Sequence, residues 1–268
     1  MSTILRILML GDLVGKTGRD LFARHISTLR TNYALDMVII NGENCADGKG
    51  ITPHIVKFLQ ERGVDIITSG NHIYDKKEIL PYLDEHDTVL RPANYPDACP
   101  GKGMTFFTCK GFQVGVMNLM GRLYMPVHLN CPFQKALDLL KESQKTTPIM
   151  LVDFHAETTA EKIALATLLD GKVTAVVGTH THVQTADAQI LPQGTAYISD
   201  LGMSGSLNSM IGAKKDSIIH RFLTQMPVRH EVATDAPYVL SGVVVTIDGP
   251  TGKALAIETV YVIDNEIL

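Results

Sequence analysis

An α/β fold built on largely parallel strands is predicted by three features of this 268-residue chain. Short β-branched apolar runs recur, helix-like segments separate them, and almost every run ends in a polar cluster. The first run, ILRILML, leads into Gly11-Asp12, and the amphipathic segment GRDLFARHISTLRTNY follows. DMVII leads into Asn41-Gly42-Glu43-Asn44. The next helix, TPHIVKFLQERG, opens on Thr52-Pro53 and closes on Gly63, a proper start and stop. VDIITS then runs into Gly70-Asn71-His72, and FQVGVMNLM into Gly121-Arg122. PIMLVDF runs into His155 and is followed by the helix TTAEKIALATLLDG, and KVTAVVGT runs into His180. Near the C-terminus the pattern changes. YVLSGVVVTID and ALAIETVYVI, separated by GPTGK, read as an antiparallel hairpin. A mixed sheet or a two-sheet sandwich flanked by helices is expected. No repeat, low-complexity stretch or linker marks a domain boundary, so one domain is expected, with a small cap open to residues 74–102 and 122–144.

Composition narrows the function. The N-terminal apolar run is interrupted by Arg6 and Asp12, too short for a membrane span and wrongly built for a secretion signal. The four cysteines are scattered and form no C-x-x-C pair, which points to a reduced, cytoplasmic chain. A net charge of −4 without a lysine-arginine run argues against long nucleic acid as the main ligand, because polymer binding needs a basic footprint. The eleven methionines show no clustered spacing and read as core filler.

In doubly wound sheets ligands collect beyond the carboxyl ends of the strands, and here the polar clusters fall at those ends. Asp12, Glu43, Asn44, Asn71, His72, His155, His180 and His182 are all metal ligands or proton donors by type. Alternation along an extended chain would turn His180 and His182 to one side. The donors are oxygen and nitrogen with no thiolate, a set suited to Fe, Mn, Zn or Co rather than Mg or Ca. They exceed the needs of one ion. Two ions sharing a bridging carboxylate use them naturally, and two-metal sites suit displacement at phosphorus. Each residue also has an ordinary reading: Asp12 as a helix cap, Glu43 as a loop charge, His155 as a satisfied core histidine. Their conjunction at successive strand ends favours a shared metal site.

The blocks GDLVG, NGENCADGKG, SGNHIYDKKE, RPANYP, DFHAE, VVGTHTHVQTAD and ISDLGMSG resemble the signature of the bacterial YmdB-type metallophosphoesterases, a branch of the calcineurin-like binuclear phosphoesterases. The likeness runs almost from end to end. The broader superfamily carries G-D-x-H and G-D-x-x-D; this chain has Leu13-Val14 after Asp12 and no G-D-x-x-D, departures that the YmdB-type branch shares. The resemblance implies an αββα sandwich with two divalent or trivalent ions, iron or manganese. Asp12, Glu43, Asn44 and His182 would hold one ion; Glu43, Asn71, His155 and His180 would hold the other. It further implies a cytoplasmic phosphodiesterase for 2′,3′-cyclic and related cyclic nucleotides, and leaves a homo-oligomer open. The expected mechanism is attack by a hydroxide that both ions activate, with His72 protonating the leaving alkoxide.

Three rivals fare less well. GDLVGKTGRD looks like a phosphate-binding loop, but G-x-x-x-x-G-K-[ST] requires a glycine where Leu10 stands, and Asp12 would repel the phosphates. Gly15 to Gly18 therefore read as a strand-to-helix turn. A two-metal amide hydrolase usually carries H-x-H on its first strand, whereas here it comes late. A metal-bound regulatory protein with little turnover could share every ligand, and only an activity assay separates the two. Arg122 and His128 read equally well as pocket or exposed loop residues.

Overall fold

The structure, a computed structural model, describes residues 3–229 and 231–266. The first half of the chain forms β1 (Ile4–Leu13), α1 (Gly15–Tyr33), β2 (Met37–Asn41), α2 (Pro53–Gln60), β3 (Ile66–Thr68), α3 (Ile79–Glu85), β4 (Met104–Cys109), β5 (Phe112–Met120) and α4 (Pro132–Ser143). The second half forms β6 (Ile149–His155), α5 (Thr159–Leu169), β7 (Ala175–Thr179), β8 (Gln189–Ile190), β9 (Ala196–Ile198), β10 (Met203–Ser206), α6 (Lys215–Thr224), β11 (Tyr238–Asp248) and β12 (Ala254–Asp264). One sheet runs β12-β11-β10-β1-β2-β3 and the other β4-β5-β6-β7-β9-β8. β1, β2 and β3 are mutually parallel, as are β5, β6, β7 and β9. The C-terminal hairpin pairs antiparallel from Tyr238–Asp264 onward, and β11 also runs antiparallel to β1.

Strand alternation explains the layering. Leu5, Ile7 and Met9 of β1, with Met37 and Ile39 of β2, meet Val114, Val116, Ile149, Leu151 and Val177 of the other sheet in a core between the sheets. The opposite faces carry Leu8, Leu10, Val38 and Ile40, covered by Leu21, Phe22 and Ile26 of α1 and by Ile55 and Leu59 of α2. On the second sheet Met117, Met150, Val152 and Phe154 pack under Ala136 and Leu140 of α4 and Leu165 of α5. The result is an αββα sandwich, the two-sheet form of the sequence expectation. Thr52 caps α2 through Ile55 N at 3.4 Å, with Pro53 in its first turn. Ile79 and Leu83 of α3 join the core around α1, so much of the 74–102 segment packs onto the body. Among the described residues no helix is long and apolar enough to cross a membrane.

The same alternation that builds the inner core carries polar side chains to its end. On β6, Ile149 and Leu151 face the other sheet, so Asp153 and His155 face it too. On β1 the register against β2 slips between Leu10 and Asp12. A bulge of this kind re-aims the following side chain. Asp12 thereby turns towards the end of the inter-sheet layer rather than towards α1.

Candidate metal centre

The polar residues that close the inter-sheet core converge on two adjoining loci. At the first, His155 Nε2 lies 3.1 Å from Glu43 Oε1 and 3.0 Å from His180 Nδ1. One ligand atom from each of Glu43, His155 and His180 falls within 4.8 Å of the others. At the second, His182 Nε2 stands 3.8 Å from Asp12 Oδ1, while Asp12 Oδ2 accepts from the His180 amide at 3.3 Å. The far nitrogens of these histidines are anchored. His180 Nε2 meets Glu157 Oε2 at 3.0 Å, and His182 Nδ1 meets the Ile211 carbonyl at 2.8 Å. A carbonyl only accepts, so His182 carries its proton on Nδ1 and turns the Nε2 lone pair inward.

Buried polar atoms are almost always hydrogen-bonded, so the exceptions are informative. Among the described residues four buried side-chain atoms lack a partner, and three are Asp12 Oδ1, Asn44 Oδ1 and Asn71 Oδ1. Asn44 donates its amide to the Gly48 carbonyl at 2.9 Å, which fixes its oxygen as the free end. Asn71 stands between Gly70 and His72, and both of these crowd Glu43. The His72 amide donates to Glu43 Oε2 at 3.1 Å, and a Cβ at Gly70 would come within 2.3 Å of the same oxygen. Orphaned oxygens near imidazoles that turn a nitrogen inward are an arrangement that a cation satisfies. A cavity of about 310 Å³ opens over these groups, lined among others by Lys49, His72, Glu157 and Thr181. His72 Nδ1 is held by Asp75 Oδ2 at 2.8 Å.

Charge is distributed unevenly. Burial alone would raise the Glu43 carboxyl, but the charge and hydrogen bond of His155 outweigh it and bring it down to about 2. Burial disfavours a charged His155, yet Glu43 pushes its pKa up to about 9. Burial, then the charge of His155, lowers His180 to about 3. Burial raises Asp12 from 3.8 to about 6 against the opposing pull of His182 and His155. Raised folded-state titration means that the metal-free protein loses stability as pH rises from the ordinary carboxylate value through about 6, with the whole penalty present above that. Asp12→Asn is therefore expected to stabilise the chelator-treated protein at pH 7–8 by about 1–3 kcal/mol, and to lose that advantage near pH 4. Thermal melts in EDTA at the two pH values check this.

Residues 8–260 match the model of the YmdB-like protein family. The chain belongs to that family. The 2′,3′-cyclic-nucleotide 2′-phosphodiesterase of Bacillus subtilis (strain 168) is 48% identical over 263 residues, covering 98% of this chain and 99% of that protein. The crystal structure of a novel phosphatase from Mycoplasma pneumoniae superposes with a TM-score of 0.93 at 33% identity, covering 99% of this chain and 96% of that one. A hypothetical protein from Thermus thermophilus superposes with a TM-score of 0.91 at 38% identity, covering 97% of this chain and all of that one.

One local expectation fails in this YmdB-like chain. His180 and His182 do not alternate along an extended strand: β7 ends at Thr179, and the two histidines have φ of 101° and 66°. Left-handed backbone at residues other than glycine costs about 1–3 kcal/mol each and needs support from its surroundings. Thr181 between them supplies it. Its amide and hydroxyl donate to Asp200 Oδ2 at 3.1 and 2.8 Å, and buried Lys162 donates to the same oxygen at 2.7 Å. The reversal aims His180 at Glu43 and His182 at Asp12, one towards each locus. Arg122 and His128 lie apart from this cavity. Asp75, Glu157, Asp153 and Asp200 were missed by sequence reasoning. Spacing offered a signal for two of them, since Asp153 and Glu157 stand two residues either side of His155.

Proposed function

We propose that this chain is a metal-dependent phosphodiesterase acting on small cyclic nucleotides, with 2′,3′-cyclic nucleotides as the principal substrates. The observation that carries the reading is the set of three orphaned buried oxygens, on Asp12, Asn44 and Asn71, together with the cluster Glu43, His155 and His180. The activity of the Bacillus subtilis relative, 48% identical along nearly the whole chain, supports it. Asp12, Glu43, Asn44 and His182 would hold one ion, and Glu43, Asn71, His155 and His180 the other. Mixed oxygen and nitrogen donors without thiolate suit Fe, Mn, Zn or Co, and the family likeness narrows the proposal to iron or manganese. Bound there, such a pair supplies Lewis-acid polarisation of a phosphoryl oxygen and ionises water at neutral pH.

The side chains divide the remaining work. Glu43 has two carboxylate oxygens to share between the loci and offsets part of the positive charge. Asn44 and Asn71 contribute neutral oxygens, which leaves the site cationic enough to attract an anionic phosphate. His72 stands at the cavity with Nδ1 tied to Asp75, so Nε2 is the atom that delivers a proton to the departing ribose oxygen. For a 2′,3′-cyclic phosphate that oxygen is the 2′ one, the bond named for the relative's activity. The two sheets act as one catalytic domain, in the reducing cytoplasm that four free cysteines suit.

The test is hydrolysis of bis-p-nitrophenyl phosphate and of a 2′,3′-cyclic nucleotide with added Mn²⁺. His72→Ala is expected to lower kcat by about 10²–10⁴ while leaving bound metal unchanged. Asp75→Asn is expected to lower kcat by a smaller factor. Equal rates in wild type, His72→Ala and Glu43→Gln would defeat the enzymatic reading and favour a metal-bound regulatory protein.

A further inference from the structure

Beneath the candidate metal centre lies a carboxylate with no role in the reaction as drawn. Asp153 precedes His155 by two residues on β6, so both side chains enter the layer between the sheets. It is 2% exposed, and three donors from three other strands reach it. Thr68 Oγ1 on β3 lies at 2.5 Å, Thr179 Oγ1 on β7 at 2.7 Å and Asn41 Nδ2 on β2 at 3.1 Å. All three of these donors are neutral.

The proton order along one arm follows from the chemistry of each group. The Thr179 hydroxyl has a single proton and gives it to Asp153 Oδ1. Its oxygen then only accepts, first from Asn41 Nδ2 at 3.3 Å. His155 Nδ1, 2.9 Å from the same oxygen, must therefore be the donor. When the ring is neutral, as a metal ligand must be, Nε2 is therefore left with the lone pair, and Nε2 is the atom that faces Glu43 and His180. A second arm runs through Asn41, whose Oδ1 accepts the Glu43 amide at 3.1 Å.

We infer that Asp153 is a positioning residue: through Thr179 it holds His155 as the Nδ1–H tautomer with Nε2 presented to a metal ion, and through Asn41 it seats Glu43 opposite. Outer partners of this kind set ligand orientation and basicity, and their loss costs about 10–100-fold in metal affinity. This assignment rests on the metal-centre reading given above.

The experiment uses Zn²⁺, which is diamagnetic, on full-length protein labelled with ¹⁵N-histidine. Two-bond ¹H–¹⁵N correlation spectra of the loaded wild type are expected to show His155 metal-bound at Nε2 and protonated at Nδ1. Competition against a chromophoric chelator is expected to give Thr179→Val a Zn²⁺ affinity lower by about 10–100-fold, with Thr179→Ser restored to near the wild-type value. Asp153→Asn is expected to weaken Zn²⁺ binding and to yield mixed His155 tautomers. Should Thr179→Val fail to fold, the wild-type spectrum and the serine variant still decide. Zinc bound at His155 Nδ1, or Thr179→Val binding Zn²⁺ as tightly as wild type, overturns the assignment and leaves the metal centre standing. A wild-type protein that binds no Zn²⁺ defeats the metal centre itself.

Discussion

Replacing Glu43 by alanine is expected to abolish bound metal and to cut phosphodiester hydrolysis by about 10³-fold or more. That factor corresponds to the several kcal/mol of charge stabilisation that metal ions contribute to such reactions. The side chain is 1% exposed, with one oxygen 3.1 Å from His155 Nε2 and the other taking the His72 amide at 3.1 Å. In the proposed assignment Glu43 would serve both loci, so its removal is expected to open each of them. It also removes the partner that holds the buried His155 ring charged, so the ring is expected to give up its proton and the 3.1 Å contact to be lost. Loss of that buried hydrogen bond and of the packed carboxylate is also expected to make the variant melt at lower temperature than wild type in EDTA. Elemental analysis, an activity assay and thermal melts read the three consequences separately. A Glu43→Ala protein with full metal content and wild-type turnover would contradict the bridging role.

The second large effect is expected from one added methyl group. Gly70 lies so close to the centre that a Cβ there would stand 2.2 Å from His155 Cδ2, 2.3 Å from His155 Nε2 and 2.3 Å from Glu43 Oε2. Those contacts are far inside van der Waals separation, and the atoms involved are buried and cannot swing into solvent. Gly70→Ala must therefore push His155 and Glu43 apart or shift the loop that carries Asn71 and His72. Metal content and kcat are expected to collapse together, while the fold loses about 1–3 kcal/mol, the usual cost of overpacking. Gly205→Ala is the control: its Cβ would meet Val14 Cβ at 3.4 Å, an ordinary contact, and near-wild-type behaviour is expected. Retention of both metal and activity in Gly70→Ala would show that the loop carries no tight constraint.

Much of this arrangement was legible in the sequence because periodicity and strand-end chemistry are local signals. Runs such as DMVII and KVTAVVGT became β2 and β7, and the polar residues after them became the rim of the cavity. The terminal hairpin was readable from two alternating runs around GPTGK. Less visible were β8 and β10. The first is two exposed residues, and the second, MSGS, has little intrinsic preference for a strand. β10 forms because β1 and β11 offer it backbone partners on both sides, a tertiary cause that no local window contains.

The candidate site divides along the same line. Residue types at strand ends pointed to the candidate donors, whereas the groups that aim them came from distant positions. Asp200 pins Thr181 from 19 residues away, and Thr68 reaches Asp153 across 85. The backbone reversal at His180 and His182 was hidden for this reason. An H-x-H after a strand suggests continued alternation, and the contacts that hold the left-handed conformers, among them Thr181 on Asp200, are assembled only in three dimensions.

If two metal ions sit at the end of the inter-sheet core, anomalous scattering from a crystal of the Mn²⁺-loaded protein locates them. Two peaks about 3.5–4 Å apart are expected. One should fall within coordinating reach of Glu43, Asn71, His155 and His180, and the other of Asp12, Glu43, Asn44 and His182. A single peak elsewhere on the surface, with those side chains left unbound, would contradict the two-ion centre.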